Sequence, residues 1–233
     1  MKKTEKILEM RNVSYRYADA DKDDYVLKNI SYSFELGKSY AIKGPSGSGK
    51  TTLLSLISGL EKKYEGEIFY KDQNLKKINL DKYRNTYIGI VFQSYNLLPH
   101  LTAMENIILS MDINGTKVSN KKEKAIFLMK QVGLKESYAK RRVLRLSGGE
   151  QQRVAIARAV AAKPSLFLAD EPTGALDSNT GKQVFDTLKS LSKTKLVIVV
   201  SHDRDFAQEY GDKIYQYSNP WIRLIIKPLV KNM

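Results

Sequence analysis

Residues Gly44–Thr51 read GPSGSGKT, which is the spacing G-x-x-x-x-G-K-T. Glycines let the backbone close around phosphate oxygens, and successive N–H groups then point inward. The short apolar run Ser39–Lys43 before it predicts a strand, and a helix is expected from near Gly49 to Gly59. That helix would aim the positive end of its dipole at the same place. Gly44, Pro45, Ser46, Gly47, Ser48, Gly49 and Thr52 would then surround phosphate groups. Lys50 would reach the β- and γ-phosphates, and Thr51 would offer its hydroxyl to Mg²⁺.

Three further apolar runs of strand length, Ile88–Phe92, Leu166–Ala169 and Leu196–Val200, show no alternation. This pattern suits strands buried on both faces of a parallel sheet. Ligands of open α/β sheets bind beyond the carboxyl ends of the strands. Gln93 follows the first run, Asp170 and Glu171 the second, and Ser201 and His202 the third. If the strands are parallel neighbours, these residues emerge on one edge together with Gly44. Mg²⁺ held by ATP phosphates needs hard oxygen ligands, which Thr51, Gln93 and Asp170 can supply. Glu171 could hold an attacking water as general base, and His202 could contact the γ-phosphate.

The 233 residues are ample for a buried core in one domain or two closely joined ones, and 42% of them are apolar. With no cysteine, a disulfide scaffold and cysteine-ligated zinc or iron–sulfur centres are excluded. Two histidines do not build a metal cluster. The 39 lysine and arginine residues against 25 acidic ones leave a net charge of +14. The excess is dispersed along the chain, as on a lysine-rich solvated surface, so it does not by itself point to nucleic acid. No run approaches the roughly 18 uncharged apolar residues of a membrane span, and the basic N-terminus has no apolar stretch after it. A cytoplasmic location is expected.

Ile7–Tyr17, Tyr25–Leu36 and Gly66–Tyr70 predict further strands, the first two joined by the acidic turn Ala18–Asp24. Between Ser94 and Leu146 the pattern becomes helical, over Thr102–Met111 and Lys121–Val132. This insert carries ten lysine or arginine residues against four acidic ones. A second glycine motif follows, in LSGGEQQRVAIARAVAAKP at Leu146–Pro164. Ser147 is a natural N-cap, with Glu150 at the capping-box spacing. The helix should run through Ala161 and stop before Pro164. Its open N-terminus is a second anion site.

With these motifs in this order, the chain resembles the nucleotide-binding subunit of an ATP-binding cassette (ABC) transporter, over roughly Ile7 to Asp212. The carriers are GPSGSGKT, Gln93 as the Q-loop glutamine, LSGGE at Leu146–Glu150, LFLADE at Leu166–Glu171, ALD at Ala175–Asp177 and His202. The resemblance implies an α/β fold: a P-loop NTPase core with a small antiparallel β subdomain (1–93 and 147–217) and an inserted α-helical subdomain (94–146). Residues 218–233 form a divergent tail. It also implies that Tyr17 stacks on adenine, with Tyr15 its nearest rival.

In such proteins two copies pair head to tail. Ser147, Gly148, Gly149 and Glu150 of one copy would then complete the site around the other copy's Lys50. Asp177 would lie at that interface. Lys50, Glu171 and His202 are the expected catalytic residues, with ATP and Mg²⁺ as substrate and cofactor. DNA-repair and translation relatives carry long coiled coils, zinc cysteines or paired cassettes, and this chain has none of them. The implied partner is therefore an integral membrane permease, with no nucleic acid, and the implied place is the cytoplasmic face of the membrane.

FQSYNLLPHLTAMENI at Phe92–Ile107 and LADEPTGALD at Leu168–Asp177 resemble exporters of peptides and antimicrobials and lipoprotein-release systems. Residues near Tyr95–Leu101 would form the groove for the permease. At the tail Asn219-Pro220 replaces the usual turn glycine. Trp221, Leu224 and Ile225 could share a short helix face, with Arg223 and Lys227 opposite, that docks on a partner or on lipid headgroups, but the favoured expectation is a tail packed on its own domain.

Overall fold

The computed structural model describes residues 5–21, 23–174, 176, 178–201, 213–216 and 225–228. In chain order the first elements are β1 (Lys6–Tyr15), β2 (Leu27–Glu35), β3 (Ser39–Lys43), α1 (Lys50–Ile57), β4 (Glu65–Tyr70), β5 (Gln73–Asn74), α2 (Leu80–Tyr87) and β6 (Ile88–Val91). Then follow α3 (Ala103–Ile113), α4 (Lys121–Gln131), α5 (Gly148–Ala161), β7 (Leu166–Asp170), α6 (Ser178–Ser192), β8 (Leu196–Ser201), β9 (Lys213–Gln216) and β10 (Ile225–Pro228).

The strands form two sheets. One is antiparallel, in the order β2-β1-β4-β5. The other has the order β10-β9-β3-β8-β7-β6 and is parallel from β9 to β6. The unbroken apolar runs are explained by their packing. Leu166, Leu168, Leu196, Ile198 and Val200 point into a core shared with α1 and the antiparallel sheet. The intervening Phe167, Ala169, Val197 and Val199 point into a second core shared with α3, α4 and α5. Alternate side chains of a strand face opposite sides, so a strand covered on both sides must be apolar throughout.

The predicted helices of the insert are α3 and α4, which pack on each other and on α5. Thr102 caps α3: its hydroxyl accepts the Glu105 N–H at 3.2 Å, while the Glu105 carboxylate accepts the Thr102 N–H at 2.8 Å. Ile107, Met111, Leu128 and Met129 meet Val154 and Ala155 of α5 in the second core. The α5 helix packs in this second core with α3 and α4 and with the strand residues of β7 and β8, and this is what ties the insert to the sheet.

One expectation is corrected. Ile225 and Lys227 are in a strand, not a short helix, because β10 pairs antiparallel with β9 from Ile225 opposite Gln216 to Pro228 opposite Lys213. The β-branched pair Ile225-Ile226 favours extended backbone once a neighbour is present, and Pro228 is tolerated at the end of an edge strand. Trp221, Arg223 and Leu224 lie outside the described residues.

Candidate functional site

The phosphate loop leaves β3 at Gly44 and enters α1 at Lys50. Gly47 and Gly49 take φ of +76° and +83°, the left-handed region that costs any other residue free energy. At Gly49 a Cβ would also stand 3.0 Å from both Val26 Cγ1 and the Val26 carbonyl oxygen. Lys50 is buried, and its ammonium donates to the carbonyls of Gly44 and Pro45, each at 2.8 Å. Among the described residues no carboxylate lies within ion-pair distance of it. The Ser48 hydroxyl is buried without a partner. A buried cation that, among the described residues, is hydrogen-bonded to carbonyls and not to a carboxylate, and an orphaned hydroxyl, both in one glycine loop, fit an anion that supplies the missing oxygen atoms.

Across the loop, the Thr51 hydroxyl donates to Asp170 Oδ2 at 2.7 Å. Asp170 is buried at the carboxyl end of β7, and burial pushes its pKa up. The Thr51 hydrogen bond acts the other way, the adjacent Glu171 adds to the rise, and Lys50 offsets part of it. Glu171 has φ of +47°; its N–H donates to the Val200 carbonyl at 3.0 Å and its carboxylate accepts from the Ser201 hydroxyl at 3.2 Å. A left-handed glutamate at a strand end is strained, and neighbours on β8 hold it there.

A cleft of about 580 Å³ opens on these groups. Ser46, Gly47, Gly49, Lys50, Thr51 and Thr52 line it, together with Gln93, Asp170, Glu171, Tyr17 and Val26. Tyr17 is 51% exposed and Tyr15 only 7%, so Tyr15 is a core residue and Tyr17 is the ring free to meet a base. The two rings meet edge to face at 5.3 Å, and the Tyr17 hydroxyl lies 3.2 Å from Thr52 Oγ1. The sequence reading passed over Val26, which is adjacent to Gly49 only through the fold.

The second glycine motif forms the expected cap. The Glu150 N–H donates to Ser147 Oγ at 3.3 Å, and the Ser147 N–H donates to Glu150 Oε2 at 2.8 Å. Ser147, Gly148, Gly149 and Glu150 are not among the residues lining the cleft. Sequence reasoning also missed the neighbour of this helix end: a Cβ on Gly148 would lie 3.3 Å from the Tyr95 hydroxyl oxygen. Asp177 and His202 lie outside the described residues. A second groove, of about 370 Å³, runs beside Phe92, Asn96, Leu98 and Ile113. Among the described residues no helix is long and apolar enough to cross a membrane.

The ABC transporter family model matches residues 27–174. An uncharacterized ABC transporter ATP-binding protein, YclH of Bacillus subtilis, is 44% identical over 204 residues, covering 87% of this chain and 89% of the relative. The lipoprotein-releasing system ATP-binding protein LolD of Idiomarina loihiensis is 40% identical over 211 residues, covering 88% and 92%. Among solved structures, the ATP-binding cassette MJ0796 in a dimeric post-hydrolysis state bound to ADP and Pi is similar at a TM-score of 0.88 and 37% identity. That match covers 96% of this chain and 99% of the other.

Proposed function

The chain belongs to the ABC transporter ATP-binding family and hydrolyses ATP to energise a membrane transporter, and we propose that it does so as half of a head-to-tail dimer. The observation that carries this reading is the separation of two anion-seeking features. The phosphate loop lines the cleft, whereas the Ser147 cap of α5 does not. Each is half of a site, and the isologous pairing of two copies brings opposite halves together. The dimeric state of the similar cassette MJ0796 supports this.

In the proposed site Lys50 and the loop N–H groups bind the phosphates of ATP, and Tyr17 stacks on the base. Thr51, Gln93 and Asp170 offer the hard oxygen donors that would hold Mg²⁺, which when bound neutralises phosphate charge. The proximity of Thr51 to Asp170 fits that role. Glu171 takes the proton of the attacking water, and its strained backbone at the β7 end directs the carboxylate to the cleft wall. His202 would contact the γ-phosphate, and Asp177 would sit between the two sites. Ser147, Gly148 and Gly149, oriented by Glu150, complete the site of the partner copy.

The core would comprise 1–93 and 147–217 and the helical subdomain 94–146, with the divergent tail 218–233 returning to the edge of the core sheet at β10. The groove beside Phe92, Asn96 and Leu98 would seat an integral permease, placing the chain peripherally on the cytoplasmic face of the membrane. The lipoprotein-releasing relatives favour a lipid-linked substrate over a peptide or an antimicrobial. The comparisons give no support to the nucleic-acid alternative. Purification of the tagged chain from solubilised membranes should recover an integral permease, whereas recovery of nucleic acid in its place would contradict the proposal.

A further inference from the structure

Two residues beyond Gln93 the chain is left-handed twice in succession, with φ of +61° at Tyr95 and +48° at Asn96. Asparagine tolerates this region, but a tyrosine does not, so the Tyr95 conformation is costly and persists only where its surroundings impose it. The constraint comes from α5. The Arg158 guanidinium donates through one nitrogen to the Tyr95 carbonyl at 2.8 Å and through another to the Asn96 carbonyl at 2.5 Å. Arg158 is partly buried, and burial lowers its pKa. The planar fork of arginine suits two adjacent carbonyls in a way a lysine does not.

The same loop meets α5 a second time. The Tyr95 hydroxyl lies 3.3 Å from the point a Gly148 Cβ would occupy, at the first residue of the helix. The loop is thus fixed to α5 by Arg158 and lies close against the helix N-terminus at Gly148. Gln93, just upstream, stands on the wall of the chain's own cleft. Ser147, capping α5, belongs in the composite arrangement to the partner's site.

We propose that Arg158 is a positioning residue for hydrolysis: by holding the Tyr95–Asn96 backbone it fixes Gln93 relative to Ser147, so that one chain closes on both nucleotides together. This rests on the composite-site reading above. It assigns Arg158 no contact with ATP. Its effect passes through Gln93 on one side and through the α5 N-terminus on the other.

The test uses the full chain in a Glu171→Gln background, where ATP binds without turnover. Four quantities are measured: ATP affinity of the monomer, the ATP concentration for half-maximal dimerisation, the Mg²⁺ concentration that dimerisation requires, and the melting temperature. Arg158→Met should leave monomer affinity within about twofold while raising both dimerisation requirements roughly tenfold. Arg158→Lys, which keeps the charge and one donor group, should recover part of both and guards against a misfolded Met variant. Unchanged requirements, or a shift in only one of them, would overturn the proposal. So would equal losses in monomer affinity and melting temperature, which mark a structural role. A Glu171→Gln parent that never dimerises would overturn the composite-site reading and this proposal with it.

Discussion

Thr51, in the first turn of α1, donates its hydroxyl to Asp170 Oδ2 at 2.7 Å across a sequence separation of 119 residues. The bond joins the phosphate loop to the end of β7 and sets the position of a buried carboxylate. Because burial raises the Asp170 pKa, the native state holds a proton there more tightly than the unfolded chain does.

Asp170 therefore opposes folding while it is ionised in both states, and that penalty fades as pH falls through its raised native pKa. Asp170→Asn should stabilise the nucleotide-free chain near neutral pH, with the gain over the parent shrinking toward pH 4. Melting curves across this range test it; a variant less stable than the parent at pH 7 would contradict it. The same variant should lose the additional stabilisation that Mg²⁺ with ATP confers on the parent.

The two tyrosines at the end of β1 should separate cleanly. Tyr17 is half exposed on the cleft, so Tyr17→Ala should weaken ATP binding about tenfold with the fold intact. Tyr15 is in the core, so Tyr15→Ala should cost about 3–5 kcal/mol of stability, as aromatic truncations do. Nucleotide titration and urea unfolding of both variants decide the matter. Equal ATP affinities for the parent and Tyr17→Ala would remove the stacking role.

Glu171→Gln should bind ATP as the parent does and hydrolyse it 10²–10⁴-fold more slowly, about 3–5 kcal/mol of barrier. Single-turnover measurement isolates the chemical step. Turnover at the parent rate would show that another group takes the proton.

The features that were readable in the sequence are those whose contacts are local. The glycine spacing of Gly44–Thr51 and the Ser147–Glu150 cap act over a few residues, and both form as read. The helix capped by Thr102 does likewise. The apolar runs showed which strands are buried on both faces, and the residues following them marked the sheet edge. What depended on distant partners was not legible. β10 is a strand because β9 lies beside it. Val26 bears on Gly49 only through the folded core. Arg158 gave no signal in the sequence, because its carbonyl partners are 62 and 63 positions away. α2 carried a readable signal, the Asn79 cap that accepts the Lys82 N–H at 2.8 Å, and the motif-centred reading passed over it.

The most direct measurement is solution mass by light scattering for Glu171→Gln and for Glu171→Gln combined with Ser147→Arg, each with and without saturating ATP. The single variant should double its mass when ATP is added. The double variant should bind ATP with the same monomer affinity yet keep the mass of one chain, because the arginine blocks the helix end offered to the partner. A single variant that stays monomeric with ATP bound, or a double variant that pairs as readily, would contradict two chains sharing each nucleotide.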